Sequence, residues 1–87
     1  MNWTVVLSIK ALKDLKKLKQ AGLSEQTRKL LELIQNDPFG SPPRYEKLVG
    51  NLKGFYSRRI NIHHRLVYSV DIKNRIIHVL RMWTHYE

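Results

Sequence analysis

Ile9, Leu12, Leu15 and Leu18 recur at every third position, and lysines fill most of the gaps between them. That spacing predicts an amphipathic helix with a basic outer face. Such a helix has an apolar stripe to hide and nothing of its own to hide it against. Ser8 precedes it and is a good N-cap, because a serine oxygen can accept from a first-turn amide. Gly22 follows its end, as glycine often does past a helix. A second stripe comes next: Thr27, Leu30, Leu31 and Ile34 fit the i, i+3, i+4, i+7 template of one buried face. It opens at Ser24 and closes at Asn36-Asp37-Pro38, since proline disfavours helix at the residue before it. Two helices joined by a few residues form an antiparallel hairpin. A sheet must then supply the surface that both stripes lack.

Strands are written on either side of that hairpin. Trp3–Leu7 (WTVVL) reads as a short buried strand. From Tyr56 to Ile62, Arg58, Ile60 and Ile62 alternate with Arg59, Asn61 and His63. From His64 to Ile72, Leu66, Tyr68, Val70 and Ile72 share one face, and Arg65, Val67 and Ser69 the other. Lys73-Asn74 suits a two-residue hairpin turn, with asparagine tolerating positive φ. A last strand, Arg75 to about Thr84, sets Ile76, His78, Leu80 and Met82 against Ile77, Val79, Arg81 and Trp83. Asp37–Pro43 (DPFGSPP) is a loop by composition. In residues 44–55, Leu48, Leu52 and Phe55 have helical spacing, while Gly50 and Gly54 argue for short or irregular structure. The expected order is β-α-α-β-β-β in a single domain over residues 1–87. The class is α+β, with a two-helix hairpin on one face of a small, mainly antiparallel sheet. The other face is left partly open. Arg65 and Arg81 meet there, and His85 shares the parity of Arg81. His78, on the apolar parity, is expected in the core.

Charge narrows the partners. The net charge is +9. Residues 1–43 hold seven basic and four acidic side chains, and residues 44–87 hold nine and three, so the second half has the stronger positive field. A polyanion or an acidic protein fits that balance. A membrane surface does not, because the basic residues do not oppose a long exposed apolar stripe. No run approaches the ~20 apolar residues of a membrane span. The first residues lack the order of a signal peptide, since the lysines follow the apolar run. With no cysteine, disulfides and thiolate chemistry are excluded. A cytoplasmic protein is expected. His63, His64 and His85 lack metal-ligand spacing, so neither a metal nor another cofactor is expected.

The polar residues that this layout collects are Glu46, Arg59, Arg65, Arg81, His85 and Tyr86. They fit metal-independent cleavage of an RNA phosphodiester. A base must take the 2′-hydroxyl proton, and cations must stabilise the charge gathering at phosphorus. An acid titrating near neutrality, such as histidine, must protonate the leaving oxygen. The same arginines, Arg58, Arg59 and Arg65, also fit a merely solvated face, and Glu46 an ordinary surface carboxylate.

Three blocks sharpen the choice: N-L-x-G-F-Y-S-R-R-I at Asn51–Ile60, H-R-L-V-Y at His64–Tyr68, and His85-Tyr86. With Asp37–Gly40 (DPFG) and Glu46 two residues before Leu48, they resemble the YoeB/Txe family of the RelE superfamily, ribosome-dependent mRNA endonuclease toxins. The resemblance implies a RelE-like microbial RNase fold and cleavage of mRNA in the ribosomal A site. It implies Glu46 as general base and His85 as general acid. Arg65 would stabilise the transition state, Arg59 hold the phosphate, and Tyr86 position the substrate. The family often has a lysine where this chain has Val49; Lys47, of the same strand parity, is the candidate substitute, and Arg81 a further substrate contact. The implied partners are an antitoxin of Phd/YefM type, the ribosome and its RNA, mRNA, and operator DNA reached only through the antitoxin. A homodimer is compatible with this. The rival readings are a non-catalytic nucleic-acid-binding module or co-repressor, and a degenerate toxin that keeps only antitoxin binding.

Overall fold

In a computed structural model the chain is described over residues 3–41 and 44–84. The elements are β1 (Thr4–Leu7), α1 (Ile9–Gln20), α2 (Ser24–Asn36), β2 (Tyr45–Lys47), β3 (Phe55–Arg59), β4 (Arg65–Asp71) and β5 (Ile76–Thr84). They build a five-stranded sheet of order β1-β5-β4-β3-β2. β1 runs parallel to β5, and the remaining neighbours are antiparallel. The expected α+β arrangement therefore holds, with one strand more. That strand, β2, falls in the stretch whose glycines and leucines disagreed.

Ser8 caps α1: its oxygen accepts from the Ala11 amide at 3.0 Å, and its hydroxyl donates to the Leu80 carbonyl at 2.7 Å. One side chain thus starts the helix and ties it to β5. Gly22 leaves the helix with φ +77°, in the left-handed region that suits glycine. The buried stripe of α1 differs from the expected one. Ile9 is 74% exposed and Leu12 51%, while Ala11, Asp14 and Leu18 are buried. At 3.6 residues per turn, a three-residue repeat slips by about 60° at each step. Ile9 to Leu18 therefore fans across half the helix instead of lining one face. In α2 the expected Thr27, Leu30 and Ile34 are the buried set.

β4 is the middle strand, and Arg65, Leu66, Val67 and Tyr68 are all buried. Leu66 and Tyr68 join Leu18, Ile34, Ile77 and Val79 in the core; Arg65, Val67 and Ser69 alternate to the other side, as expected. β3 stops at Arg59, short of the expected Ile62, because Asn61 begins a turn. Its side-chain oxygen accepts from the His63 and His64 amides. The β4–β5 connection is a four-residue turn over 72–75, not a two-residue one. The Asp71 carboxylate ties it to Asn74, and the positive φ falls on Arg75.

The faces of β5 are the reverse of those expected. Ile77 and Val79 are buried and His78 is exposed, so His78 is not a core histidine. Pairing of Val5 with Ile77 and of Leu7 with Val79 sets this. Beyond Val79 the register against β4 shifts twice, and Met82 enters the core.

Arg58 is fully buried on the helix side of β3 rather than solvated. Its Nε donates to the Tyr68 hydroxyl at 3.0 Å and its Nη2 to the Pro38 carbonyl at 2.9 Å; its guanidinium lies 5.1 Å from the Tyr45 ring centre. The Tyr68 hydroxyl also donates to the Pro38 carbonyl, at 2.7 Å. Tyr68→Phe removes an acceptor from Arg58 and a donor from Pro38 in a dry environment. Urea unfolding should show a loss of about 1–3 kcal/mol; a midpoint equal to wild type would contradict this role for the network.

Candidate active site

Edge strand β2 pairs with β3 so that Glu46 stands opposite Ser57, and β3 pairs with β4 so that Ser57 stands opposite Val67 and Arg59 opposite Arg65. Cross-strand partners share a face. Glu46, Ser57, Arg59 and Arg65 therefore converge on the side of the sheet away from the helices. The Nη1 of Arg65 donates to Glu46 Oε1 at 2.7 Å and to Ser57 Oγ at 3.3 Å. The Arg65 side chain is 10% exposed and that of Glu46 49%. A guanidinium this deep needs an acceptor, and the carboxylate meets it from the solvent side.

Arg44 and Arg59 complete the group. Together with Glu46 and Arg65 they line an open hollow of about 360 Å³. The hydrogen bond from Arg65, its charge, and the fields of Arg44 and Arg59 hold the Glu46 carboxyl below the usual carboxylate range, against a smaller effect of burial. Glu46 is thus ionised at neutral pH. Three guanidiniums against one carboxylate leave the hollow positive, and a phosphodiester has the charge and hydrogen-bonding capacity to sit there. The sequence reading missed Arg44 and Ser57. The signal for Arg44 was its parity with Glu46, which becomes legible only once 45–47 is known to be a strand.

Other candidates lie elsewhere. Lys47 pairs with Tyr56, which pairs with Tyr68, so it belongs to the face opposite Glu46. Arg81 does not join Arg65; its Nε donates to Asp14 of α1 at 2.8 Å and its Nη2 at 3.2 Å. Burial alone would raise the Asp14 carboxyl, but hydrogen bonds from Arg81 and the Met82 amide, with the charge of Arg81, hold it below its usual value. His85 and Tyr86 lie outside the described residues. His63 is exposed, and the His64 ring stacks on Trp83 with centres 3.9 Å apart.

A second concavity lies on the helix side. α1, α2 and β1 frame an apolar groove of about 920 Å³, walled by Val5, Leu7, Leu12, Leu15 and Leu31, with Lys16 and Lys19 among its polar residues. Among the described residues no helix is long and apolar enough to cross a membrane.

Comparison with known proteins agrees with this architecture. The profile of the YoeB-like toxin of bacterial type II toxin–antitoxin systems matches residues 8–86. The YoeB toxin of Synechocystis is 41% identical over 58 residues, 67% of this chain and 65% of its own length. That of Escherichia coli is 42% identical over 57 residues, 62% of this chain and 68% of its own. The matched segment thus spans about two thirds of these curated relatives. Among solved structures, a chain of the Staphylococcus aureus YoeB–YefM complex superposes with a TM-score of 0.79 at 35% identity, covering 99% of this chain and 100% of that one. The YoeB dimer of the same organism gives 0.82 at 34% identity, with the same coverage. With its two helices on a mixed five-stranded sheet and a profile match over nearly its whole length, this chain belongs to the YoeB-like toxins of bacterial type II toxin–antitoxin systems.

Proposed function

We propose that this toxin is a ribosome-dependent endoribonuclease that cuts translated mRNA in the A site, without a metal, and so inhibits translation. The observation that supports it most directly is the ionised Glu46 carboxylate set among Arg44, Arg59 and Arg65 in one open hollow. In this reading Glu46 takes the 2′-hydroxyl proton and the resulting alkoxide attacks the adjacent phosphorus. Arg65 and Arg59 stabilise the charge that builds on the phosphoryl oxygens, and Arg44 adds to the phosphate seat. His85 donates a proton to the departing 5′-oxygen, and Tyr86 positions the substrate. The products are a 2′,3′-cyclic phosphate and a 5′-hydroxyl. The Glu46–Arg65 contact gives the resting site a closed ion pair. An arriving phosphate competes for the same guanidinium, and Glu46 becomes more basic as that hydrogen bond loosens. Lys47 stands on the other face of β2 and Arg81 bonds Asp14, which leaves phosphate contact to Arg44, Arg59 and Arg65.

The partner in this reading is an antitoxin of the YefM type, the kind found with the S. aureus relative. The apolar groove beside lysines suits an acidic amphipathic segment that folds on contact. Placed in the cytoplasm, the toxin would then meet its antitoxin and the ribosome in one compartment.

Four outcomes follow from these assignments. Expressed alone, the wild-type chain should arrest growth and leave new ends within codons of translated messages. Glu46→Ala, Arg65→Ala and His85→Ala should each lower cleavage by about 10²-fold or more while still binding the antitoxin. Growth arrest with intact mRNA would instead favour the nucleic-acid-binding reading. Carbon-detected NMR should find Glu46 titrating below the usual range of a glutamate carboxyl, and Arg65→Met should move that titration upward. The part of the folding stability due to this shift is present above the unfolded-state pKa and is lost as pH falls through the folded-state value. Leu12→Glu should leave folding and cleavage intact but weaken antitoxin binding by about tenfold, roughly 1.4 kcal/mol. Unaltered binding would move the antitoxin off the groove.

A further inference from the structure

Asp14 stands in the middle of α1 and is 2% exposed. It belongs to the buried face of the helix, where the neighbouring positions Ala11 and Leu18 are apolar. A carboxylate there must be fully occupied to be tolerated. Its Oδ2 accepts from Arg81 Nε at 2.8 Å and from the Met82 amide at 2.9 Å, and its Oδ1 accepts from Arg81 Nη2 at 3.2 Å.

The residues it holds are those where β5 departs from regular pairing. Tyr68 stands opposite Val79, and Arg65 opposite Thr84. Between these two pairs β4 advances three residues and β5 advances five. β5 thus holds two extra residues, and ladder bonds fail where they are inserted. The Met82 amide is buried there, and a buried amide must find an acceptor. Asp14 provides it and neutralises Arg81 at the same point. If the register at Tyr68–Val79 ran on unbroken, Arg65 would face Met82 instead of Thr84, a displacement of β5 by about 7 Å. That slip would also bring Met82 out of the core.

We propose that Asp14 is a positioning residue of the reaction: by holding the irregular Arg81–Met82 segment, it fixes where the end of β5 stands relative to Arg65. The inference rests on the ribonuclease reading above. Asp14 touches neither the hollow nor a substrate, and it acts through the register of β5. In the ribonuclease reading the general acid is His85, which lies three residues beyond Met82 in the sequence, and the Met82 amide is held by Asp14. The hollow is lined by Arg44, Glu46, Arg59 and Arg65, none of which bonds Asp14, so the phosphate seat itself is left standing. Loss of Asp14 should therefore lower kcat and leave KM nearly unchanged.

The test uses full-length toxin, programmed ribosomes and the Asp14→Asn and Arg81→Gln variants, each first checked for folding and antitoxin binding. Asp14→Asn is expected to lower kcat by about 10²-fold, the scale of a misplacement of about 1 Å, with KM within about twofold. Cross-strand NOEs between Arg65 and Thr84 should weaken, and the Met82 amide should exchange faster. Arg81→Gln, which leaves the Asp14–Met82 bond in place, should show a smaller fall in the same direction. A wild-type kcat in Asp14→Asn, or the loss of kcat with the Arg65–Thr84 NOEs intact, overturns the proposal. Should Asp14→Asn fail to fold, a wild-type kcat in Arg81→Gln overturns it, and a lowered kcat with weakened NOEs supports it. Wild-type toxin that leaves every message uncut would sink the ribonuclease reading itself. A cutting wild type with an indifferent Asp14→Asn would sink only the role of Asp14.

Discussion

The guanidinium of Arg65 starts in the central strand, passes Ser57 of β3 and ends on Glu46 of β2, so it stitches three strands through their side chains. β2 is only three residues long and has one neighbour, and so short an edge strand is weakly held by its ladder alone. On the solvent-facing side the Glu46–Arg65 pair secures it. On the other side Tyr45 packs against Phe39 and Tyr56 and lies under Arg58. The contact that gives the candidate base its depressed pKa is thus also a contact that holds its strand in place. A partly exposed ion pair contributes modestly to stability; here its geometric effect is the larger one.

Alternation along β3 gives two adjacent arginines opposite roles. Arg58 points into the helix side, fully buried, and bonds the Pro38 carbonyl and the Tyr68 hydroxyl. Arg59 points to the hollow and stays exposed. The density of positive charge in this stretch therefore has two causes. One cation joins the loop after α2 to the sheet, and the other lines the open hollow. The hollow draws on β2, β3 and β4, while α1 engages β5 through the Asp14–Arg81 pair.

Much of this was legible in the amino-acid order, and the failures share a cause. The helix hairpin and the faces of β4 follow from local periodicity, and Ser8 and Gly22 from local chemistry. Glu46, Arg59 and Arg65 line one hollow, while His85 lies outside the described residues. Three features depend on distant neighbours. β2 exists because β3 offers an edge to it, and its own residues do not announce a strand. The faces of β5 are decided by β1, some 72 residues earlier in register. Arg81 leaves the Arg65 side because Asp14 engages it. Strict alternation cannot foresee two inserted residues, and the pull of Asp14 on Arg81 and Met82 is visible only once α1 lies on β5. The helix stripe failed differently: a three-residue repeat approximates a helix over one turn and misleads over three.

The parallel pairing of β1 with β5 sets a schedule for synthesis. Thr4 finds its partner only at Ile76, so a nascent chain that has completed both helices still lacks the strand that joins β1 to the rest of the sheet. Contacts this remote in sequence form late because closing so long a loop costs entropy before it is rewarded. During translation the sheet therefore remains incomplete until residues 76–79 have been made. The complete sheet is withheld until β5 is available, a delay inherent in strand order and independent of any inhibitor.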